Sequence, residues 1–340
     1  MKILFAAETL YPVWGGSDVS ARVLMTELSK EHEVHAVYMG DTFDVPFKIY
    51  PQEKRFLKGQ WRRGVKLYSW WKSVVGAKID EIKPDVLITQ GLFMPASIEV
   101  AKEKGVKVVS FVRNTMHVSI NGFIPVTLKY YSQYPYYWSL KKKFRKNLVK
   151  SDVVIANSSA IKKITDDALG TDCVVVYPFV KMKNYKVKSS KEYITMINPD
   201  VHKGYRIFRE IAIRCPTKKF LVVGKDIVEE IPNIKVVPWV EDMKEVYSKT
   251  RMILLPSFWF EPCGRIQLEG LASLIPSVVS NKGGLPETVP LELVVKNLED
   301  IDEWVAKIEL VEGKDYSKEL KRLSLKFDFS KQMEVLNGLF

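Results

Sequence analysis

Short, almost wholly apolar runs rich in β-branched residues alternate along this chain with longer stretches of helical period, and few folds accommodate that rhythm. The first half carries KILFAA (2–7), EVHAVYMG (33–40), DVLITQG (85–91), KVVSFV (107–112), DVVIANS (152–158) and CVVVYPF (173–179). Runs without a polar face suit parallel strands covered on both sides. Between several of them, 18–30, 61–83, 95–104 and 160–169 repeat apolar residues at helical spacing. Strand–helix alternation of this kind predicts βαβ units in a doubly wound α/β sheet.

The rhythm stops in YPFVKMKNYKVKSSK (177–191), which is basic, polar and contains Pro, and reads as an interdomain linker. It then restarts with EYITMIN, a helix over 205–214, KFLVVG, NIKVVPWV, a helix over 243–249, RMILLPS, a helix from Gly264, PSVVS, LELVV and two or three closing helices. A chain of 340 residues has room for about two domains. The expected division is 1–180, 181–325 and a closing helix over 326–340 packed back on the first domain. Two Rossmann-like domains of this kind bind ligands at the carboxyl ends of their strands.

Lys and Arg number 52 against 40 Asp and Glu, a net charge of +12 that favours an anionic partner. Three scattered cysteines, an odd count without paired spacing, fit a reduced, cytoplasmic setting. Glu8 and Pro12 interrupt the first apolar run, so it reads as a strand and not a signal peptide. No run reaches the ~18 apolar residues of a membrane span.

The most informative segment is PSFWFEPCGRIQLEGLASLIPSVVSNKGGLPET (256–288). A strand ends at Pro256, and a loop with Glu261, Pro262, Cys263 and Gly264 opens a helix. Free N–H groups at a helix start suit phosphate or sugar oxygens. Glu269 follows Glu261 by eight residues. Carboxylates repel a diphosphate, so hydroxyls of a sugar and a ribose are their natural partners. Taken alone, two such glutamates read first as a capping or surface pair. Lys203, beside Gly204 where a strand turns into a helix, offers a phosphate charge and free N–H groups together. A bare Lys-Gly is otherwise an ordinary solvated turn.

The segment resembles the E-x7-E signature of family 4 retaining glycosyltransferases, which have the GT-B fold. The likeness rests on Pro256, Ser257, Glu261, Gly264, Glu269, Pro276, Val278, Val279, Gly283, Gly284, Pro286 and Glu287. It extends through YPVWGG near the start, NSSAIKK (157–163), VVYPFV and INPDVHKG (197–204). The resemblance implies that Glu261 contacts donor-sugar hydroxyls and Glu269 the ribose. It implies that backbone N–H groups around Cys263, Gly264, Arg265 and Ile266 hold sugar and phosphate, and that Lys203 pairs with the diphosphate. Many relatives carry an Arg about six residues before that Lys, where this chain has Ile197. Arg265 or Arg206 could supply the charge.

Gly15 and Gly16 permit positive φ and close backbone approach, and equally mark a plain turn. His117, past the KVVSFV strand, matches a region where the family places a His near the reaction centre. Arg113 on the same loop is a lesser anion candidate. The resemblance further implies a nucleotide-sugar donor (UDP-, GDP- or ADP-), a glycan or lipid-linked acceptor, retention by front-face displacement, and no metal or other cofactor. Asp300-Ile301-Asp302 has D-x-D spacing, but it opens an amphipathic helix where acids are favoured anyway. The dispersed His and Cys give no zinc spacing.

Residues 54–72 and 128–150 each carry seven basic residues and no acid, interleaved with Trp, Tyr and Phe. Trp61, Val65, Tyr68, Val75, Ile79 and Ile82 follow helical spacing, so core packing with a solvated basic face is the first reading. An anionic membrane surface or lipid-linked acceptor is the second, and single-stranded nucleic acid a distant third. Two rival functions remain: a catalytically dead scaffold, motivated by Ile197, and a sugar-nucleotide epimerase of the same fold, which needs no acceptor.

Overall fold

The computed structural model describes residues 1–13, 15–53, 61–115, 118, 142–224 and 227–340, with backbone alone for 61–66. The chain divides into two compact units, Met1–Phe179 with Glu334–Phe340, and Val180–Met333.

The first unit is built on strands β1 (Lys2–Ala7), β2 (Glu33–Met39), β3 (Lys48–Gln52), β4 (Val86–Gln90), β5 (Lys107–Val112), β6 (Val153–Ala156) and β7 (Val174–Val175). They form one parallel sheet in the order β3-β2-β1-β4-β5-β6-β7. Phe5 registers with Ala36 on one side and Ile88 on the other. Ile3, Leu4, Phe5 and Ala6 are fully buried, because helices α1 (Gly16–Leu28), α2 (Trp61–Ile82), α3 (Met94–Glu103) and α4 (Ser159–Leu169) follow their strands as crossovers. Ser158 caps α4 by accepting the Ile161 N–H at 3.1 Å, and Gly170 ends it in the left-handed region.

Strand β3 was not expected from sequence. KIYPQ is half-polar and contains Pro51, features that an edge strand tolerates. Cross-strand partners pin it: Lys48 to Glu33 at 2.9 Å and Tyr50 to His35 at 3.0 Å. In the part of the first basic aromatic stretch whose side chains are described, Leu67 and Trp71 are buried. Trp71 is fully buried and donates to Ser97 at 2.9 Å, while Lys72 pairs with Glu99 and Glu103. Residues 54–60 and 128–141 of the two stretches lie outside the described residues. Among the described residues, no helix is long and apolar enough to cross a membrane.

The second unit holds β8 (Tyr193–Ile197), β9 (Phe220–Val223), β10 (Ile234–Val237), β11 (Thr250–Leu255), β12 (Ser277–Ser280) and β13 (Val294–Val295), again all parallel, in the order β10-β9-β8-β11-β12-β13. Its helices are α5 (Tyr205–Arg214), α6 (Lys244–Tyr247), α7 (Arg265–Leu271), α8 (Ile301–Gly313) and α9 (Ser317–Lys326), and α10 (Phe329–Asn337) begins in this unit and ends among the residues grouped with the first. Ile197, Val223, Tyr247, Leu255 and Val279 share one core cluster beneath the strand ends. The final residues group with the first unit, where Lys107 donates to the Leu339 carbonyl at 2.9 Å.

Candidate functional site

Three loops meet at the carboxyl ends of β8, β11 and β12, which are neighbours in the second sheet. The first runs from Asn198 to Gly204. Asn198 leaves the strand at φ 56°, and Asp200 then folds the loop by accepting N–H groups from His202, Lys203 and Tyr205 at 3.1–3.2 Å. Gly204 starts α5 at φ 78°, and a Cβ there would lie 1.8 Å from the Pro256 carbonyl oxygen. Only glycine fits so close an approach of two backbones. The second loop is held to the first by Phe258 and Trp259, whose N–H groups donate to the His202 carbonyl at 2.9 and 3.1 Å. Ser257 is buried within it, and its carbonyl accepts the Ser280 hydroxyl at 2.8 Å. The third loop closes on Glu261: Gly284 N–H donates to the Glu261 carbonyl at 2.8 Å. Gly283, at φ 63°, would place a Cβ 2.1 Å from that oxygen.

This backbone clamp brings Lys203 to Glu261. The ammonium lies 2.9 Å from carboxylate Oε1, with side chains 29% and 13% exposed. The contact is an attraction of charges whose angle falls outside hydrogen-bond geometry. Glu269 is not brought to Lys203. It is buried, and its two oxygens take Arg265 Nε at 2.8 Å and the Tyr247 hydroxyl at 2.8 Å. Burial, followed by the charge of Glu269, holds both the Tyr247 and Tyr185 phenols above their ordinary values, so each stays a neutral donor. The second is engaged by Arg265 Nη2 at 3.1 Å.

Neither arginine proposed as substitute charge is idle. Arg265 is braced by Glu269 and Tyr185, and Arg206 is more than half exposed and paired with Glu210 and Glu299. Ile197 is a core residue, so an Arg side chain at that position would have to leave the cluster that Ile197 fills. Ile266 packs partly against the same core. Burial pushes the Cys263 thiol far up, with Glu287 and Glu261 adding to it, so it is a poor nucleophile. Helix α7 begins at Arg265, one residue past the expected Gly264, and it is only seven residues long. Asp300 and Asp302 are used locally. The first caps α8 through the Glu303 N–H at 3.1 Å, and the second pairs with Arg214 at 3.2 Å. Among the described residues, no group of three or more His, Cys, Asp or Glu could hold a metal ion.

The first unit carries a second polar cluster at its own strand ends. Gly15 precedes α1 with φ −170°, an extended conformation, and Gly16 is the first helical residue. The positive φ anticipated for them is therefore not what the glycines supply. Nothing lies within 4 Å of a Cβ placed on Gly15, so open space lies beside that residue. Asp18 is buried and accepts the Thr9 hydroxyl at 2.9 Å. Arg113 is buried behind α1, donating to Ser20 at 3.2 Å over the Phe111 ring. His117 lies outside the described residues. Sequence reading missed Glu8. It stands one residue past β1, and its Oε2 accepts the Leu92 N–H at 2.7 Å. Burial pushes its carboxyl up to about 7, helped by Asp18 and opposed by the Leu92 N–H. The available signal was an acid directly after a strand whose last five residues are apolar and buried.

The sequence profile of Glycosyltransferase Family 4 matches residues 14–183, half of the chain, and that of Glycosyl transferases group 1 matches residues 195–311. No curated protein matches the chain. Solved structures resemble it over nearly its whole length. Sucrose-phosphate synthase from Thermosynechococcus elongatus superposes with a TM-score of 0.80 at 14% identity, over 99% of this chain and 98% of that one. HepE of Anabaena, solved in complex with UDP-glucose, gives 0.75 at 15% identity, over 99% and 100%. A glycosyltransferase from Rickettsia africae gives 0.73 at 16%, over 99% and 98%. At these identities the likeness is one of fold. Taken with the two profiles and the paired parallel sheets, it places the chain in the family 4 type of GT-B glycosyltransferases.

Proposed function

We propose that the protein transfers a sugar from a nucleotide-sugar donor to an acceptor hydroxyl, with retention of anomeric configuration and without a metal. The observation that carries this reading is the Lys203–Glu261 contact, set where three loops converge at the carboxyl ends of parallel strands. Lys203 is the cation for the donor diphosphate, and Glu261 accepts hydroxyls of the donor sugar. A carboxylate has about four acceptor positions. Glu269 therefore keeps capacity for the ribose beyond its bonds to Arg265 and Tyr247. Arg265 acts through Glu269, holding the carboxylate in place.

In the proposed reaction the acceptor oxygen bonds to the anomeric carbon on the face from which the diphosphate departs. The bond from that carbon to the phosphate oxygen breaks with its electron pair, and a donor phosphate oxygen takes the acceptor proton. Charge grows on the leaving diphosphate, and a pre-positioned ammonium stabilises it without reorganisation. The acceptor, a glycan or lipid-linked alcohol, is assigned to the first unit. HepE is solved with UDP and with UDP-glucose, so UDP-sugars are the first donors to test. UDP-, GDP- and ADP-sugars are screened by thermal shift and then for release of the nucleoside diphosphate. Lys203→Ala and Glu261→Ala are expected to abolish that release in a folded protein. A wild type inert toward all three donor classes would defeat the proposal.

A further inference from the structure

We propose that Glu261 selects a sugar-bearing nucleotide over the free nucleoside diphosphate by competing with the diphosphate for Lys203. The inference rests on the reading in which Lys203 meets the diphosphate, and it adds a role for Glu261 before any sugar arrives. Among the described residues, Glu261 is the one acidic partner of the Lys203 ammonium, and Lys203 the one basic partner of the Glu261 carboxylate. Neither backbone is free to drift. Lys203 is bound through Asp200 and followed by Gly204 pressed on Pro256, while Glu261 is gripped by Gly283 and Gly284.

The two side chains differ in what they lose on separation. Lys203 keeps 29% exposure and can be solvated, whereas Glu261 keeps only 13%. A diphosphate that takes the ammonium leaves an enclosed carboxylate without its counter-charge and beside a new anion. Both changes oppose binding. A sugar on the diphosphate offsets them, because its hydroxyls donate to the carboxylate. A free nucleoside diphosphate brings no such donors. Glu261 thus favours the loaded donor and assists departure of the spent nucleotide.

The test is calorimetric titration of wild type, Glu261→Gln and Lys203→Met with UDP, GDP and ADP and with the matching glucose nucleotides, read for the base that wild type binds best. The amide removes the charge and keeps the shape. Glu261→Gln is expected to bind the nucleoside diphosphate roughly fivefold more tightly, the factor for a partly exposed ion pair worth about 1 kcal/mol. Its preference for the sugar nucleotide falls by more than that factor. Lys203→Met weakens both ligands. Glu261→Asp withdraws the charge by one methylene and falls between wild type and the Gln variant, which keeps the test decisive if the Gln variant does not fold. If wild type binds and Lys203→Met weakens binding, but the Glu261 variants bind the nucleoside diphosphate no more tightly, this inference is overturned and the proposed function stands. If wild type binds none of the six ligands, both fall together.

Discussion

Replacing Glu8 with Gln changes the pH dependence of stability in a way that can be worked out from the first unit alone. The Glu8 carboxyl sits at the end of β1 with one oxygen on the Leu92 N–H, and burial lifts it from 4.5 to about 7. Below about pH 4.5 both folded and unfolded chains carry the proton, and the group contributes nothing to pH dependence. As pH rises toward 7 the unfolded chain releases its proton first, so wild-type stability falls through that window and levels off above it. The gap of about 2.5 corresponds to roughly 3 kcal/mol at 1.36 kcal/mol per pH unit. Residual exposure of the side chain makes this an upper bound, and about 1–3 kcal/mol is expected. Gln cannot titrate, and its amide oxygen still accepts from Leu92. Denaturant unfolding of both proteins at pH 4.5, 6 and 8 should show the variant gaining about 1–3 kcal/mol on wild type between the two ends. A difference that does not change with pH, or one that turns against the variant as pH rises, would show that Glu8 is not a neutral buried acid in the native chain.

Three further outcomes follow from the second unit and one helix cap. Gly283→Ala forces a Cβ to within 2.1 Å of the Glu261 carbonyl in a left-handed conformation, so it should destabilise by about 2 kcal/mol or more, read as a lowered melting temperature. An unchanged melting temperature would contradict the close approach. Glu269→Gln removes the acid facing Arg265 in a buried setting and should cost about 3 kcal/mol in thermal unfolding, a loss absent from the exposed Glu210→Gln control. Ser158→Ala deletes the α4 cap and should cost about 1 kcal/mol without affecting nucleotide binding, measured by denaturation and calorimetry side by side.

Much of the architecture was legible because a parallel strand covered on both faces has little choice of residue. KILFAA, KVVSFV and RMILLPS read as central strands for that reason, and β1, β5 and β11 occupy those runs. At the sheet edge the constraint relaxes. KIYPQ at β3 is polar enough to pass for a loop, and LELVV divides into a 3-10 turn, Leu291–Leu293, and the two-residue β13. The glycines of the family-like loops were visible as residues, but not the different reasons for them. Gly204 and Gly283 need both a left-handed φ and a bare Cα, whereas Gly15 is extended.

By itself, the order of residues determined two α/β units and the stretch from Pro256 to Glu287 that marks the family, since period and local turn chemistry are properties of neighbours along the chain. Tertiary structure alone decided which charges meet. Lys203 and Glu261 stand 58 positions apart, and their contact exists because three crossover loops end on adjacent strands. The same cause gives Glu269 to Arg265 and Tyr247, and lifts the Glu8 acid through burial near Asp18. Electrostatic partnership depends on distance and on exclusion of water, and neither quantity is defined until the strands have been laid side by side.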